Sequence, residues 1–207
     1  MMNKSLLTWY GITDLRASMG FEFQGPILGA LGTGKFTSAT ILAYTKKTSF
    51  ESVEINQQLK TIDFLRKNKD DLSKISRDES WHYVDALANT PNGHTFYTEW
   101  LFTELQKRGI NVNINVQECF LRELNDTEGI YLAAVNALQE TSLEDEVTFF
   151  LSPGTPVMAF SWALALLSAP NRNITLLASP DFRKGIQTIN LPESIKQKLA
   201  NTWKNNA

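Results

Sequence analysis

Apolar residues along this chain fall into two alternating rhythms. Short apolar runs occupy residues 5–10 (SLLTWY), 38–44 (SATILAY), 147–151 (VTFFL) and 173–178 (NITLLA). Runs of this length, bounded by turn residues, predict strands buried inside a sheet. Residues 111–116 (NVNINV) alternate polar and apolar, as a strand with one covered face does. Residues 185–191 (GIQTINL) read as a last short strand, suited to an antiparallel edge. Between these runs the spacing becomes helical. Residues 25–31 (GPILGAL) predict a short helix with Pro26 in its first turn. Residues 50–67 carry Val53, Ile55, Leu59, Ile62, Phe64 and Leu65 as an amphipathic helix. Residues 95–108 place Phe96, Trp100, Leu101 and Leu105 on one side, with Gly109 as the stop. Asn125, Asp126, Thr127 and Glu128 form an N-cap signature for a helix over 129–139. Residues 157–167 are a wholly apolar helix after Pro156, and 192–203 form an exposed C-terminal helix. Residues 67–77 are a solvated charge run, 78–89 hold a helical turn or two, and Thr90-Pro91-Asn92-Gly93 is a turn.

The order is therefore β-α-β-α-β-α-β-α-β-β-α. It predicts one α/β domain over 1–207, with a helical insertion at 70–93. The architecture is Rossmann-like and doubly wound: a mostly parallel six-stranded sheet with helices on both faces. If the strand order is the common 3-2-1-4-5, the first and fourth strands are neighbours and a crevice opens at their carboxyl ends. Two polar segments then face each other there. One is the loop 11–18, with Gly11, Thr13, Asp14, Arg16 and Ser18. The other is the turn Ser152-Pro153-Gly154-Thr155-Pro156, whose hydroxyls and bare backbone precede the apolar helix. Helix N-termini favour anions, so this turn is a candidate anion site, or simply a well-made strand-to-helix turn.

Several other patterns carry two readings each. Asp14 and Arg16 form a functional pair or a loop salt bridge, and Arg16 alone suits a phosphate. Asp126 and Thr127 line the crevice rim or only cap their helix. Tyr10, at a strand end, is an aromatic that can stack on a base, whereas Trp9, Trp100 and Trp162 read as core. Residues 29–37 (GALGTGKFT) have P-loop spacing, but Phe36 stands where a metal-binding hydroxyl is needed, and the segment ends a helix and precedes a strand. A Gly-rich turn is the better reading. His82 and His94, in or near loops, make a poor metal pair and read as surface residues.

Composition narrows the classes. Of 207 residues, 43% are hydrophobic, and 20 basic against 22 acidic residues give a net charge of −2. No global basic field exists to hold duplex nucleic acid, but a small nucleotide in a local pocket is compatible. The single cysteine, Cys119, excludes an internal disulfide and a multi-Cys zinc site, and reads as a buried, inert thiol. No segment resembles a signal peptide, and the longest apolar run is too short to span a bilayer, so a cytoplasmic protein is expected. No cofactor is expected.

Residues 149–158 (FFLSPGTPVM) are similar to the strand-turn-helix motif of CARF domains, the CRISPR-associated Rossmann-fold sensors. With residues 7–18 (LTWYGITDLRAS) and 125–131 (NDTEGIY), the chain resembles the sensor domain at the N-terminus of sigma-54-dependent activators, including relatives of the regulator of RNA-terminal-phosphate cyclase. The resemblance implies a homodimer that binds a cyclic oligoadenylate or a related nucleotide or RNA end across its two-fold. It also implies signalling to an effector in antiviral defence or transcription control. The implied ligand residues are Gly11, Thr13, Asp14, Arg16 and Ser18, with Ser152, Gly154, Thr155 and Pro156. The usual turn has a second Gly and a Lys where Pro153 and Pro156 stand here, which removes a phosphate-pairing charge. Two alternatives remain open: a ring nuclease that slowly cleaves such a ligand, although no general base is evident, and a ligand-free subunit-docking domain.

Overall fold

The structure is a computed structural model that describes residues 3–69, 71–169, 172–179 and 185–195. Its strands are β1 (Lys4–Trp9), β2 (Ser38–Thr45), β3 (Asn113–Phe120), β4 (Glu146–Phe150), β5 (Ile174–Ala178) and β6 (Gln187–Ile189). They form one sheet in the order β3-β2-β1-β4-β5-β6. All pairings are parallel except β5 with β6, which is antiparallel at the edge. The doubly wound, mostly parallel architecture expected from the alternation is the one observed.

Pleat decides which side chains go where, because successive residues of a strand point to opposite faces. Leu6, Ile41 and Phe150 enter one core, against helices α1 (Ile12–Ser18), α2 (Pro26–Leu31) and α5 (Pro91–Lys107). Leu7, Trp9, Leu42 and Phe149 enter the other, against α6 (Thr127–Gln139) and α7 (Pro156–Leu167). Trp162 of α7 packs on Phe149, with ring centroids 4.7 Å apart. Helices α3 (Ser52–Lys67) and α4 (Arg77–Leu87) add to the first face.

Four expectations need correction. The polar loop at 11–18 is helix α1. Its polar composition hid a buried face: Asp14, Leu15, Arg16, Ala17 and Ser18 are all buried. The turn at 90–93 is the first turn of α5, with Thr90 accepting from the Gly93 N–H and Pro91 at the first helical position. The turn or two expected at 78–89 is the full helix α4, preceded by a 3-10 turn at Leu72–Lys74. β3 starts two residues later than expected and continues to Phe120, pairing with β2 along its whole length. The C-terminal helix expected at 192–203 lies beyond residue 195 for most of its length, outside the described residues. No helix among the described residues is long and apolar enough to cross a membrane.

Candidate functional site

β1 and β4 are hydrogen-bonded neighbours, in register from Lys4 with Glu146 to Thr8 with Phe150. The chain leaves both strands at the same end of the sheet, in the direction of α1 and α7. A crevice of about 240 Å³ opens there. It is lined by Tyr10, Gly11, Thr13 and Asp14 from the β1 side, and by Ser152, Pro153, Gly154 and Thr155 from the β4 side. Two segments 140 residues apart in sequence thus meet where the strand order demands a gap.

The two sides touch closely. A Cβ on Gly11 would stand 2.8 Å from the Gly154 backbone nitrogen, closer than side chains tolerate. Gly154 has φ +87°, a left-handed turn conformation that favours glycine, and a Cβ there would reach within 2.7 Å of Met158 Sδ. Thr155 caps α7: its hydroxyl accepts from the Met158 N–H at 3.3 Å. The first turn of α7 therefore presents its N-terminal dipole end towards the crevice. Ser152 is tied back, its hydroxyl accepting from the Ser179 N–H. Pro156 is the first residue of α7 and does not line the crevice.

Asp14 has no exposed surface. Its Oδ1 accepts from the Ile27 N–H at 2.9 Å, while Oδ2 has no partner among the described residues. Burial drives its carboxyl up to about 7, against a smaller lowering by the hydrogen bond from Ile27 and by the nearby backbone N–H groups of Gly11 and Asp14. Beside it, Tyr10 packs on Tyr97 at 4.6 Å and edge-on to His94 at 5.4 Å. Both phenols are held well above their usual range, first by burial and then by the Asp14 charge. With both rings against it, Tyr10 is a core residue with one edge on the crevice. His94 is buried in α5, contrary to the surface reading. Its Nε2 lies 3.2 Å from the Thr45 hydroxyl, and burial pulls its pKa down to about 4. His82 is exposed on α4.

Besides Pro156, four expected site residues lie elsewhere. Arg16 is buried in a separate cavity of about 290 Å³, bonded to Glu22 at 3.1 Å and to the Ser80 hydroxyl at 2.7 Å. Its guanidinium also lies over Phe21 and Trp81. The Asp14–Arg16 pair does not form, because α1 turns the two residues to different partners. Ser18 donates to the Leu15 carbonyl at 2.7 Å. Asp126 caps α6 and accepts from Arg122 at 2.6 and 3.0 Å, which holds its carboxyl well below the usual range. Thr127 begins α6, and it is Leu124 that lines the rim. Sequence reasoning passed over Pro26, Tyr44 and Asn89, which also line the crevice. Asn89 is placed there by the backbone and not by any sequence pattern. It has φ +59°, a conformation Asn tolerates better than most residues, just after helix α4.

Cys119 is a half-buried free thiol, and burial pushes it up to about 12. Residues 29–37 end α2 and lead into β2, as a helix-to-strand turn. Among the described residues no cluster of His, Cys, Asp and Glu could hold a metal ion.

No protein-family model matches the chain, and no curated protein matches it. Among solved structures, the chain is similar to Csm6 of Enterococcus italicus, in a structure bound to cyclic hexa-2'-fluoro-hexa-dAMP. The TM-score is 0.47 and the identity 11%, over 98% of this chain. The chain spans 39% of the length of that one.

Proposed function

We propose that the crevice between the ends of β1 and β4 binds a phosphorylated nucleotide, and that the chain is a nucleotide-sensing module. The carrying observation is the meeting of Gly11–Asp14 with Ser152–Thr155 at the gap in strand order, beside the N-terminus of α7. The α7 dipole, the bare backbone at Gly154 and the Thr155 hydroxyl suit a phosphate. The likeness of residues 149–158 to the CARF turn supports an adenylate, cyclic or with a free RNA end. A volume of about 240 Å³ is small beside the roughly 300–1,000 Å³ of ligand pockets, so one chain holds about one nucleotide unit. A cyclic oligoadenylate would need a second copy to complete its site, which favours a homodimer. Ligand binding then shifts the dimer geometry and so reports to an effector.

A thermal-shift titration against cyclic tri-, tetra- and hexa-adenylate, with linear RNA ends as comparators, tests the reading. A ligand that binds the folded state raises the melting temperature with its concentration. A shift with one ring size that Thr155→Ala diminishes is the expected result. Flat titrations with every probe would sink the proposal and turn attention to docking. Chromatography of the incubated ligand adds whether it stays intact.

A further inference from the structure

The cavity of about 290 Å³ around Arg16 shares no lining residue with the crevice. Gly20, with φ +84°, turns the chain back after α1, and the Phe21 N–H donates to the Arg16 carbonyl at 3.0 Å. Phe21 and Glu22 thereby come up beside Arg16, and Leu72, Ile75, Arg77 and Ser80 complete the lining. Arg16 is only 7% exposed. Its guanidinium lies over the rings of Trp81 and Phe21, at 5.4 and 5.8 Å. Nε donates to Glu22 at 3.1 Å and Nη1 to the Ser80 hydroxyl at 2.7 Å. The Ser80 hydroxyl gives its own proton to the Arg77 carbonyl at 2.6 Å, so towards Arg16 it is an acceptor. Two of the five N–H groups of the guanidinium are thus used, and Nη2 bonds to none of the described residues. Unpaired N–H groups on so buried a cation cost free energy until an acceptor arrives. Arg77 brings a second guanidinium and forms no ion pair among the described residues. Glu79, in the same turn of α4, is committed to Ser76, at 2.8 and 3.1 Å.

We propose that this cavity binds a small organic carboxylic acid, with its carboxylate on Arg16 and Arg77 and its apolar body against Phe21, Leu72 and Ile75. Two arginines against the one carboxylate of Glu22 leave a single positive charge in the lining, which matches a monoanion better than a phosphate dianion. Planar guanidinium groups also suit the geometry of a carboxylate. Leu72 is buried, and Phe21 and Ile75 are half-buried in the first core, so an apolar body meets apolar walls. At the roughly 30 Å³ that a water occupies, the cavity holds a ligand of about ten non-hydrogen atoms. Two rings and two hydrogen bonds already fix the Arg16 side chain, so binding does not have to order it. The site stands apart from the nucleotide reading, because α1 delivers Asp14 to the crevice and Arg16 here.

The test is calorimetric titration of the full chain with phenylacetate and hexanoate, each beside its neutral amide, and with inorganic phosphate. At least one acid is expected to bind with a Kd below about 1 mM. Its amide, which keeps the shape and loses the charge, is expected to bind at least about tenfold more weakly. Arg77→Gln, at an exposed position, is expected to weaken the acid at least about fivefold, and Arg16→Gln to abolish its binding. Binding of neither acid, or equal binding of acid and amide, would overturn the proposal. Phosphate binding more tightly than both acids would overturn the choice of a carboxylate. An affinity unchanged in Arg77→Gln would overturn the location. Should Arg16→Gln fail to fold, Arg77→Gln decides the location alone. The nucleotide reading is tested by other probes and stands or falls separately.

Discussion

Asp14 lines the crevice, His94 packs edge-on to Tyr10 beside it, and the two titrate in opposite senses. Asp14 keeps its proton in the folded chain up to about pH 7, while the unfolded chain releases it near 3.8. Between those values the folded state binds more protons, so this group lowers stability as pH rises. His94 stays neutral in the folded chain down to about pH 4, while the unfolded chain takes up its proton near 6.5. That group lowers stability as pH falls through the same window. Each contributes a slope of about 1.4 kcal/mol per pH unit, and the two slopes oppose. Denaturant melts of Asp14→Asn between pH 4 and 6.5 should therefore show stability rising with pH more steeply than in the wild type. His94→Gln should show the reverse. Parallel curves for all three would refute the assignment of these titrations.

Gly11 and Arg16 make the other residue-scale predictions. Gly11→Ala puts a methyl against the Gly154 backbone, and overpacking of this kind costs about 1–3 kcal/mol. The same variant should narrow the crevice, so it should lose both stability and ligand response. Arg16→Ala should behave differently. It removes a buried guanidinium from Glu22, Ser80, Phe21 and Trp81, at a cost of about 1–3 kcal/mol, yet leaves nucleotide affinity unchanged. A large loss of affinity in this variant would return Arg16 to the site.

At the scale of elements, α7 does two jobs at once. Its apolar side chains Met158, Trp162 and Ala165 bury against the sheet, while its capped first turn borders the crevice. Thr155→Ala removes the cap on the Met158 N–H and should cost about 0.5–2 kcal/mol of stability. Thr155→Ser keeps a hydroxyl there and should recover most of it, as chemical denaturation would show. α1 shows the opposite relation between sequence and structure. Only seven residues long and mostly polar, it has no apolar repeat to read. It is a helix because its polar side chains find partners elsewhere in the fold: Asp14 at Ile27, Arg16 at Glu22 and Ser80. α5 was legible in its middle and not at its start, where Thr90-Pro91-Asn92-Gly93 has the composition of a turn and the geometry of a capped helix.

For the whole molecule, the sheet order puts α6 and α7 together on one face. There Leu132, Phe160 and Leu167 remain exposed. If two copies complete one ligand site, this face is a place for them to meet. Phe160→Asp should then lower the sedimentation coefficient at concentrations where the wild type is dimeric, with no loss of melting temperature for the single chain. An unchanged coefficient would move the contact to another face.

The rhythm of apolar positions was enough to establish the class of fold and the six strands. Strand burial and helix amphipathicity are local properties, and alternation implies a mostly parallel sheet, whereas the order of its strands was an assumption that the tertiary structure decided. The turn at Ser152–Thr155 was legible for the same reason, since Pro, Gly and Thr act on the residues beside them. Which side chains reach the crevice was not local. Asp14 and Arg16 are two residues apart, yet one lies at the crevice and the other in a separate cavity, because one turn of α1 points them to different neighbours. Tyr44, Asn89 and Leu124 come to the crevice from three further segments. Burial decided the rest: the raised carboxyl of Asp14 and the neutral ring of His94 exist only once α2 and α5 have closed over them, and exclusion from water is a property of the packed whole.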